Sequence, residues 1–352
     1  MADAQAPQWV HGGTDALGIP AHDFSTNRNA CGPCPEAVAT LQAAHCAQYP
    51  DPHYTALRAQ LAQFHGVDAQ RVVIAGSASE FIHRITMHAA REGALCVTFP
   101  KHHYGDYPQA AQVWGLPVAA RATQAAGAGL HWACAPSSPL GRAEEVGDWW
   151  MSAPPVQTWR VLDCAYAPLR LTAQAAPSAL DLPHVWQMWT PNKALGMTGV
   201  RGAYAIAPES VHAPELQALR QMAASWVVGA HGVAMLQAWV TPAVQQWLQA
   251  SLQQLQDWKA QQLQLCKRLG WQVLPGHQAN YWVARWPAHV QAAMPQLLQV
   301  LRSQGIKLRD TTSFGMPGCV RMGVLPPASQ QALEQAWGAA TQTFRCEIKD
   351  TA

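Results

Sequence analysis

Short apolar runs alternate with helix-length amphipathic segments between residues 71 and 207. Each run contains β-branched or aromatic residues and ends at a glycine, a proline or a polar cluster, which is typical of β-strands. A helical pattern, such as that of residues 79–93, lies between several of the runs. This alternation predicts an α/β fold with a largely parallel sheet. The predicted strands are residues 71–76, 94–100, 130–135, 159–166, 184–189 and 202–207.

Helical patterns dominate the two flanks of this region. Residues 36–49 and 54–66 are amphipathic, and Gly66 is expected to end the second helix. A long helical stretch rich in Gln and Leu runs from about residue 208 to about residue 269. The smaller α/β pattern that follows consists of strands over 280–286 and 318–324 and helices over 290–305 and 328–344.

These patterns divide the chain into three parts. We expect an N-terminal arm over residues 1–40, a large domain over 41–215 and a smaller α/β C-terminal domain over 216–352. The arm is expected to pack beside the small domain. The sequence contains no internal repeat and no low-complexity linker between these parts.

The composition excludes several classes of protein. Hydrophobic residues make up 49 % of the 352 residues and charged residues 12 %, so a sizeable core can be buried. The net charge is +2 without a dense Lys/Arg block, which argues against a nucleic-acid surface. No apolar run approaches the ~20 residues of a membrane span, and the N-terminus lacks the features of a signal peptide. Nine cysteines without framework spacing indicate reduced thiols and a cytoplasmic location.

The tetrapeptide Cys31-Gly32-Pro33-Cys34 is identical to the active site of the thioredoxins. A redox site of this kind needs a buried strand before it, because the first cysteine lies at a strand-to-helix junction. Residues 21–29 are too polar for such a strand, so we interpret the match as a coincidence. A metal site is also rejected, because no second CxxC or HxxxH lies nearby and the adjacent His102 and His103 point to opposite sides of an extended chain.

The strongest candidate for chemistry is the segment from residue 189 to residue 208. Lys193 follows a predicted strand, and a glycine-rich turn and Arg201 come next. Asp163 lies at the carboxyl end of an earlier strand, with Tyr166 three residues further on. Ligands of open α/β sheets bind at these strand ends. An acid, a lysine and an arginine there suit a cofactor with a basic ring nitrogen, an aldehyde and a phosphate.

Several motifs occur in the order and at the spacings of one known family. Through these motifs the chain resembles the fold-type I pyridoxal-phosphate enzymes, in the branch that holds histidinol-phosphate aminotransferase and L-threonine-O-3-phosphate decarboxylase. The resemblance covers nearly the whole chain and implies a three-layer α-β-α fold. It also places the two cysteines in a loop that the family uses for another purpose. The motifs are DFSTNRNACGP, YPDPHYTALRAQLAQFHGV, VVIAGSASEFI, YGDY, PSSPLG, DCAY, NKALGMTGVRGAY, PGHQANYWVAR and IKLRDTTSFGMPGCVRMGV.

The resemblance implies roles around the cofactor ring of pyridoxal 5'-phosphate. Lys193 would hold the cofactor as a Schiff base and later move the proton at the substrate Cα. Asp163 would pair with the pyridine nitrogen and keep it protonated. Tyr166 and Ser138 would contact the ring oxygen, and Tyr104 would stack on the ring face.

The resemblance also implies a binding site for the cofactor phosphate. Free backbone N–H groups at a helix N-terminus bind anions, and such a helix is predicted to begin near residue 78. A tyrosine of the partner subunit reaches this phosphate in the family, which implies a homodimer with shared active sites. The residues that match the phosphate site are Ser77, Ala78, Ser79, Thr190, Arg201 and, from the partner, Tyr49.

Four further residues are candidates for contacts to a small phosphorylated substrate. Arg321 matches the carboxylate-binding arginine of the family, and Arg309 matches a second arginine that binds substrate anions. The N-terminal His11-Gly12-Gly13 resembles a segment of the threonine-phosphate decarboxylases of cobalamin synthesis. This makes His11 a candidate phosphate contact, with Asn27 lining the pocket.

We therefore expect a lyase that decarboxylates L-threonine O-3-phosphate to the aminopropanol phosphate of cobalamin. The alternative is an aminotransferase that acts on histidinol phosphate or another amino donor. A non-catalytic protein on the same fold and, more distantly, a thiol–disulfide oxidoreductase stay open. Departures from the family pattern indicate a divergent member: Ser138 replaces Asn, Asn192 replaces Ser, Ala30 replaces Pro, and residues 75–77 read AGS instead of GNG.

Overall fold

The computed structural model describes residues 11–120, 128–144, 148–172 and 182–350. Residues 1–10 of the predicted arm lie outside these ranges. The strands are β1 His22–Asp23, β2 Val72–Ala75, β3 Val97–Thr98, β4 Gly129–Cys134, β5 Thr158–Asp163, β6 Trp186–Trp189, β7 Ala203–Ile206, β8 Gln272–Val273, β9 Tyr281–Arg285, β10 Ile306–Lys307, β11 Arg309–Asp310 and β12 Cys319–Gly323.

Helices cover both faces of the central strands and make up most of the chain after residue 212. They are α1 Pro35–Gln42, α2 Thr55–His65, α3 Ala78–Arg91, α4 Asp106–Val113, α5 Asp148–Met151, α6 Ala213–Gln221, α7 Ala230–Trp239, α8 Pro242–Arg268, α9 Ala288–Gln291, α10 Met294–Ser303 and α11 Pro327–Asp350. Gly66 ends α2 in the left-handed conformation, with φ +66°, as the sequence predicts. In the described ranges, no helix is long and apolar enough to cross a membrane.

A six-stranded sheet in the order β2-β7-β6-β5-β4-β3 forms the centre of the fold. Strands β3 to β6 are parallel, and β7 runs antiparallel to both of its neighbours, β2 and β6. Each strand of this sheet overlaps a segment that the sequence predicts as a strand, and β4 and β5 begin one residue before the predicted segments. The predicted α/β fold with a largely parallel sheet is therefore confirmed.

The central strands are apolar on both faces because both faces are covered. In β2, Val73 and Ala75 pack into one hydrophobic cluster with the α3 side chains Phe81 and Ile85. Val72 and Ile74 of the same strand pack on the opposite face, in the cluster that holds α2. A strand between two layers of helices reads as a continuous apolar run, which is why the sequence located this sheet well.

The helical stretch predicted over 208–269 is three helices, α6, α7 and α8, rather than one. Trp226 adopts a left-handed φ of +48° between α6 and α7, and Gly229 caps the start of α7 in an extended conformation. Pro242 begins α8, where its missing N–H costs nothing. The helix predicted over 290–305 is likewise divided into α9 and α10, with Pro295 in the first turn of α10.

A second sheet and a short strand pair build the C-terminal part. Strands β11, β12, β9 and β8 form an antiparallel sheet in that order. In the N-terminal segment, β1 pairs in parallel with β10, so that Asp23 lies opposite Lys307. The residues around position 23 are thereby held against β10 in the C-terminal part of the chain. The domain limits at residues 40 and 215 stay a prediction.

Candidate active site

Two neighbouring parallel strands bring the predicted acid and lysine to one edge of the large sheet. Asp163 is the last residue of β5 and lies opposite Met188 of β6. The chain then leaves β6 and reaches Lys193 within a tight turn, in which the N–H of Leu195 donates to the carbonyl oxygen of Pro191 at 2.9 Å. Both side chains therefore lie at the carboxyl ends of the strands.

The carboxylate of Asp163 is buried and held by two hydrogen bonds. Its Oδ2 accepts from the hydroxyl of Tyr107 at 2.7 Å, and its Oδ1 accepts from the N–H of Ala165 at 2.9 Å. Burial raises the pKa of Asp163, whereas these two hydrogen bonds and the charge of Lys193 act in the opposite direction. The Tyr107 ring is itself stacked on Trp132, with ring centroids 4.5 Å apart. Tyr107 was not predicted from the sequence as a site residue.

The Lys193 amine lies over an aromatic ring and has no hydrogen-bond partner among the described residues. Its Nζ is 5.1 Å from the centroid of the Tyr166 ring. The Tyr166 hydroxyl accepts from Nδ2 of Asn27 at 3.4 Å, and the Oδ1 of Asn27 is buried without a partner in the described part of the chain. Lys193 and Asn27, which both contact Tyr166, thus offer a free amine and an unpaired buried acceptor that a ligand can satisfy.

The N-terminal loop holds the turn that carries Lys193. The N–H of Asn29 donates to the carbonyl oxygen of Lys193 at 2.8 Å, and the N–H of Cys34 donates to that of Leu195 at 2.9 Å. A Cβ at Gly32 would lie 2.7 Å from the Leu195 oxygen, so only glycine permits this approach. The CGPC segment is therefore a packing element of the lysine turn.

The two thiols of that segment are not activated. Burial raises the pKa of both Cys31 and Cys34 to about 11, so the nucleophilic thiolate is scarce near neutral pH. Cys34 occupies the N-cap of α1, but its Sγ lies 3.3 Å from Oε2 of Glu36, whose charge also raises the pKa of this thiol. This arrangement removes the basis for a thiol–disulfide oxidoreductase.

Tyr104 and Ser79 meet at the start of α4. The Ser79 hydroxyl donates to Oδ2 of Asp106, and the Tyr104 hydroxyl lies 3.4 Å from Ser79 Oγ. The Tyr104 ring contacts Tyr107 edge to face, with centroids 5.9 Å apart. Burial and the charge of Asp106 raise the pKa of Tyr104, so it is a neutral hydroxyl at physiological pH. Asp106 is a second residue that the sequence analysis missed.

The predicted phosphate site is formed by three adjacent strand ends. Ser77 caps α3, its Oγ accepting from the N–H of Glu80 at 3.0 Å, so the N–H groups of Ala78 and Ser79 open the helix. Strand β2 pairs with β7 so that Ala75 lies opposite Ala203, and the exposed Arg201 lies two residues before that pair. From β6, the hydroxyl of Thr190 donates to the Gly202 carbonyl at 3.3 Å.

Asn192, which replaces the usual serine before the lysine, stabilises this strand end. Its Oδ1 accepts from the Thr190 hydroxyl at 3.1 Å, and its Nδ2 donates to the Val200 carbonyl at 3.4 Å. The residue thus joins the end of β6 to the turn before β7. The departure from the family pattern is compatible with an ordered phosphate site.

The two predicted substrate arginines are cross-strand neighbours. Arg309 of β11 lies opposite Arg321 of β12, and both side chains are buried above the ring of Phe314. Arg321 donates from Nη2 to the Ser25 carbonyl at 2.9 Å, and its Nε is buried without a partner in the described ranges. Burial and the neighbouring charge of Arg321 lower the pKa of Arg309 to about 10. Two buried cations side by side favour an anionic ligand.

For three other predicted residues, the contacts with described residues do not indicate a role in the site. Ser138 is buried in the loop after β4, and its hydroxyl forms no hydrogen bond with another described residue that would define its role. Tyr49 is 77 % exposed and stacks on Trp226, with centroids 4.3 Å apart, rather than contacting the site of its own chain. His11 is exposed, and no described residue forms a hydrogen bond with its ring.

These side chains fit pyridoxal 5'-phosphate. The buried carboxylate of Asp163 has no cationic hydrogen-bond partner in the described ranges, the Lys193 amine is free, and the N-terminus of α3 is open to an anion. These are the complements of a pyridinium, an aldehyde and a phosphate. In the described part of the chain, no group of three or more His, Cys, Asp or Glu could hold a metal ion.

Comparison with known proteins agrees with this geometry. Residues 20–339 match the family model "Aminotransferase class I and II". A curated relative, the histidinol-phosphate aminotransferase of Symbiobacterium thermophilum, is 27 % identical over 341 residues, which is 91 % of either chain.

Solved structures of the same architecture are similar over most of their length. The histidinol-phosphate aminotransferase of Sinorhizobium meliloti, in complex with pyridoxal-5'-phosphate, superposes with a TM-score of 0.73 at 21 % identity and covers 90 % of both chains. The L-threonine-O-3-phosphate decarboxylase of Porphyromonas gingivalis gives a TM-score of 0.69 at 17 % identity, over 90 % of this chain and 97 % of its own. At these identities the similarity establishes the fold alone.

Proposed function

The chain belongs to the class I and II aminotransferases, and we propose from this premise that it transfers an amino group from a phosphorylated amino donor. Membership in the family confirms the prediction of pyridoxal 5'-phosphate as the cofactor. The donor that we propose is histidinol phosphate or a similar amine, because the curated relatives along nearly the whole chain carry that activity in their names. This reverses our order of expectation, in which the decarboxylase came first.

The observation that carries the proposal is the free amine of Lys193 beside the buried carboxylate of Asp163. When bound, the cofactor supplies an electron sink for the bonds at the substrate Cα. Asp163 would hold the proton on the ring nitrogen, and its burial would make an ion pair at this position stronger than it would be in water. Lys193 would move a proton at the substrate Cα.

The remaining residues bind and orient. The α3 N-terminus with Thr190 and Arg201 would hold the cofactor phosphate, with Tyr49 of a second subunit as a further contact. Arg321 and Arg309 would bind substrate anions, and Arg321 has an unpaired Nε with which to do so. The shared phosphate contact is the reason to propose a homodimer.

Decarboxylation of L-threonine O-3-phosphate stays a second candidate because of the position of the N-terminal segment. Gly12 and Gly13 pack on Ser25, whose carbonyl binds the substrate arginine Arg321. This packing supports a position for His11 on the substrate side of the site, where we expect a phosphate contact. The two reactions differ in which bond to Cα is held perpendicular to the cofactor ring.

The test uses the protein purified with its cofactor. Borohydride reduction and peptide mass spectrometry are expected to locate the cofactor on Lys193, and Lys193→Ala should lose the visible absorbance of the bound cofactor. Histidinol phosphate without a keto acid should then convert the wild-type cofactor to its amine form. Lys101→Ala, which changes an exposed lysine just before Tyr104, is the matched control and should behave as the wild type.

Two results would contradict the proposal. Release of CO₂ from L-threonine O-3-phosphate without a keto acid, and without formation of the amine cofactor, would assign the decarboxylase reaction instead. Absence of a cofactor band in the wild type would overturn both reactions and favour a non-catalytic protein on this fold.

A further inference from the structure

Both polar groups of the Gly13 backbone are fixed, although the segment has no regular secondary structure. The N–H of Gly13 donates to Ser25 Oγ at 2.8 Å, and its carbonyl oxygen accepts from the Nζ of Lys307. Ser25 in turn donates from Oγ to the carboxylate of Asp23. Gly13 has a φ of +94°, which favours glycine at this position. The segment is therefore seated in one place.

Gly12 lies against the backbone group that orients the substrate arginine. A Cβ at Gly12 would be 2.3 Å from the carbonyl oxygen of Ser25, well inside van der Waals contact. The same oxygen accepts from Nη2 of Arg321 at 2.9 Å. Any side chain at position 12 must therefore displace the oxygen that Arg321 uses, or displace the segment itself.

A charged cluster, the Asp15 clamp, anchors the segment to the C-terminal part of the chain. It consists of Asp15, Arg302 and Lys307. Arg302 donates from Nε to Oδ2 of Asp15 at 3.0 Å and from Nη2 to Oδ1 at 2.7 Å, and Lys307 Nζ lies 2.8 Å from Oδ2. Arg302 also donates to the Gly18 carbonyl at 2.8 Å. These hydrogen bonds hold the pKa of Asp15 well below its usual range.

Lys307 links the clamp to the site. Its Nζ contacts both the Asp15 carboxylate and the Gly13 carbonyl, while its backbone lies in β10, two residues before Arg309. The clamp, Gly13, Ser25 and Arg321 thus form one continuous chain of contacts.

We propose that residues 12–15 are a positioning element for the substrate: the Asp15 clamp seats Gly12 and Gly13 against Ser25 and thereby orients Arg321 for the substrate anion. The inference rests on the proposed function, in which Arg321 binds that anion. It assigns a purpose to the Gly-Gly pair that does not depend on His11. It also makes the N-terminal segment a determinant of substrate affinity rather than of cofactor binding.

The test measures binding of maleate, an unreactive dicarboxylate, to the holoenzyme by titration calorimetry. Gly12→Ala and Asp15→Asn are each expected to weaken maleate binding about tenfold, since Arg321 loses a well-placed charge-assisted hydrogen bond. With the amino donor, KM should rise while kcat changes less than about twofold. Asp15→Glu, which keeps the charge, should restore part of the affinity.

The matched control is Glu334→Gln. Glu334 accepts from Nε and Nη2 of Arg268 at 2.8 and 3.0 Å, in the same two-pronged geometry as Asp15 with Arg302 but between α8 and α11. This variant should leave the maleate affinity unchanged. Cofactor absorbance and thermal midpoint, measured for every variant, show whether the fold is retained.

The outcomes separate the inference from the function on which it rests. Unchanged maleate affinity in both Gly12→Ala and Asp15→Asn, with a clear loss in Arg321→Lys, would overturn the positioning role and leave Arg321 in place. Unchanged affinity in Arg321→Lys would overturn the anion-binding role of Arg321 and the positioning element with it. If Gly12→Ala does not fold, Asp15→Asn decides alone.

Discussion

Asp163 carries its charge at a position where burial opposes it. Burial raises the pKa of this carboxyl, and the hydrogen bonds from Tyr107 and Ala165 with the charge of Lys193 lower it. A protonated ring nitrogen of the cofactor would add the cation that the carboxylate lacks in the described ranges. The Tyr107 hydroxyl is therefore placed to decide how Asp163 is oriented and how well it remains ionised.

Tyr107→Phe tests this directly. The change removes the 2.7 Å hydrogen bond to Asp163 but keeps the ring that stacks on Trp132. Loss of a hydrogen bond to a charged group costs about 1.5–3 kcal/mol, so we expect turnover to fall at least about tenfold. The pKa of Asp163 should rise, which the pH dependence of the cofactor spectrum would report.

Tyr54→Phe is the matched control for that variant. The Tyr54 hydroxyl is also buried and bonds to the backbone of Val228, accepting from its N–H and donating to its carbonyl, both at 2.9 Å. Its loss should lower the thermal midpoint without changing the cofactor spectrum. Equal spectral changes in the two variants would show that Tyr107 has no special effect on Asp163.

The site residues that the sequence revealed are those at strand ends. Asp163 and Lys193 stand out because each follows a continuous apolar run, and runs of that kind end at the edge where ligands bind. Tyr107 does not stand out, because its partner is 56 positions away and only the folded sheet brings them together. Asp106 was missed for the same reason, since its contact is with Ser79.

At the scale of elements, burial on two faces decides what can be predicted. The six central strands are buried throughout, and all lie where apolar runs predict them. Strands β1, β10 and β11 have two residues each, too few to show any period. The break between α6 and α7 depends on the conformations of Trp226 and Gly229, which hydrophobic periodicity does not encode.

The end of α2 gives a pH-dependent prediction. His65, its last residue, is packed beside Trp189, with its Nε2 2.8 Å from the Tyr204 hydroxyl, and burial lowers its pKa from 6.5 to about 4. The unfolded chain therefore binds more protons between these two pH values. The contribution of the neutral His65 to the free energy of unfolding is fully present above pH 6.5 and is lost as the pH falls toward about 4.

We expect His65→Phe to flatten the acid side of the stability curve. One proton accounts for at most about 1.4 kcal/mol of unfolding free energy per pH unit, and the variant should lose that slope between pH 6 and 4. Denaturant unfolding at several pH values measures it. The exposed His53, changed to Gln, is the control, and an equal slope in wild type and His65→Phe would contradict the prediction.

At the scale of the whole molecule, an exposed aromatic pair is the candidate contact surface for a second subunit. Tyr49 and Trp226 stack on each other while Tyr49 keeps 77 % of its surface accessible, and Trp226 Nε1 donates to the Pro50 carbonyl at 3.1 Å. The adjoining Val227 carbonyl would lie 2.9 Å from a Cβ on Gly76, next to the phosphate site. A second subunit on this surface would contribute its own Tyr49 to the phosphate site.

Mixing two inactive variants distinguishes a shared site from a separate one. In a heterodimer of Lys193→Ala and Tyr49→Ala subunits, one site would combine an intact Lys193 with an intact Tyr49 from the partner. Random exchange makes half of the dimers mixed, so about a quarter of the wild-type activity should return when subunits are unfolded and refolded together. If Tyr49 served the site of its own chain, neither mixed site would be complete and activity would stay at the level of the parent variants. Mixing Lys193→Ala with Lys193→Met controls for recovery unrelated to complementation, because every site in that mixture lacks the lysine.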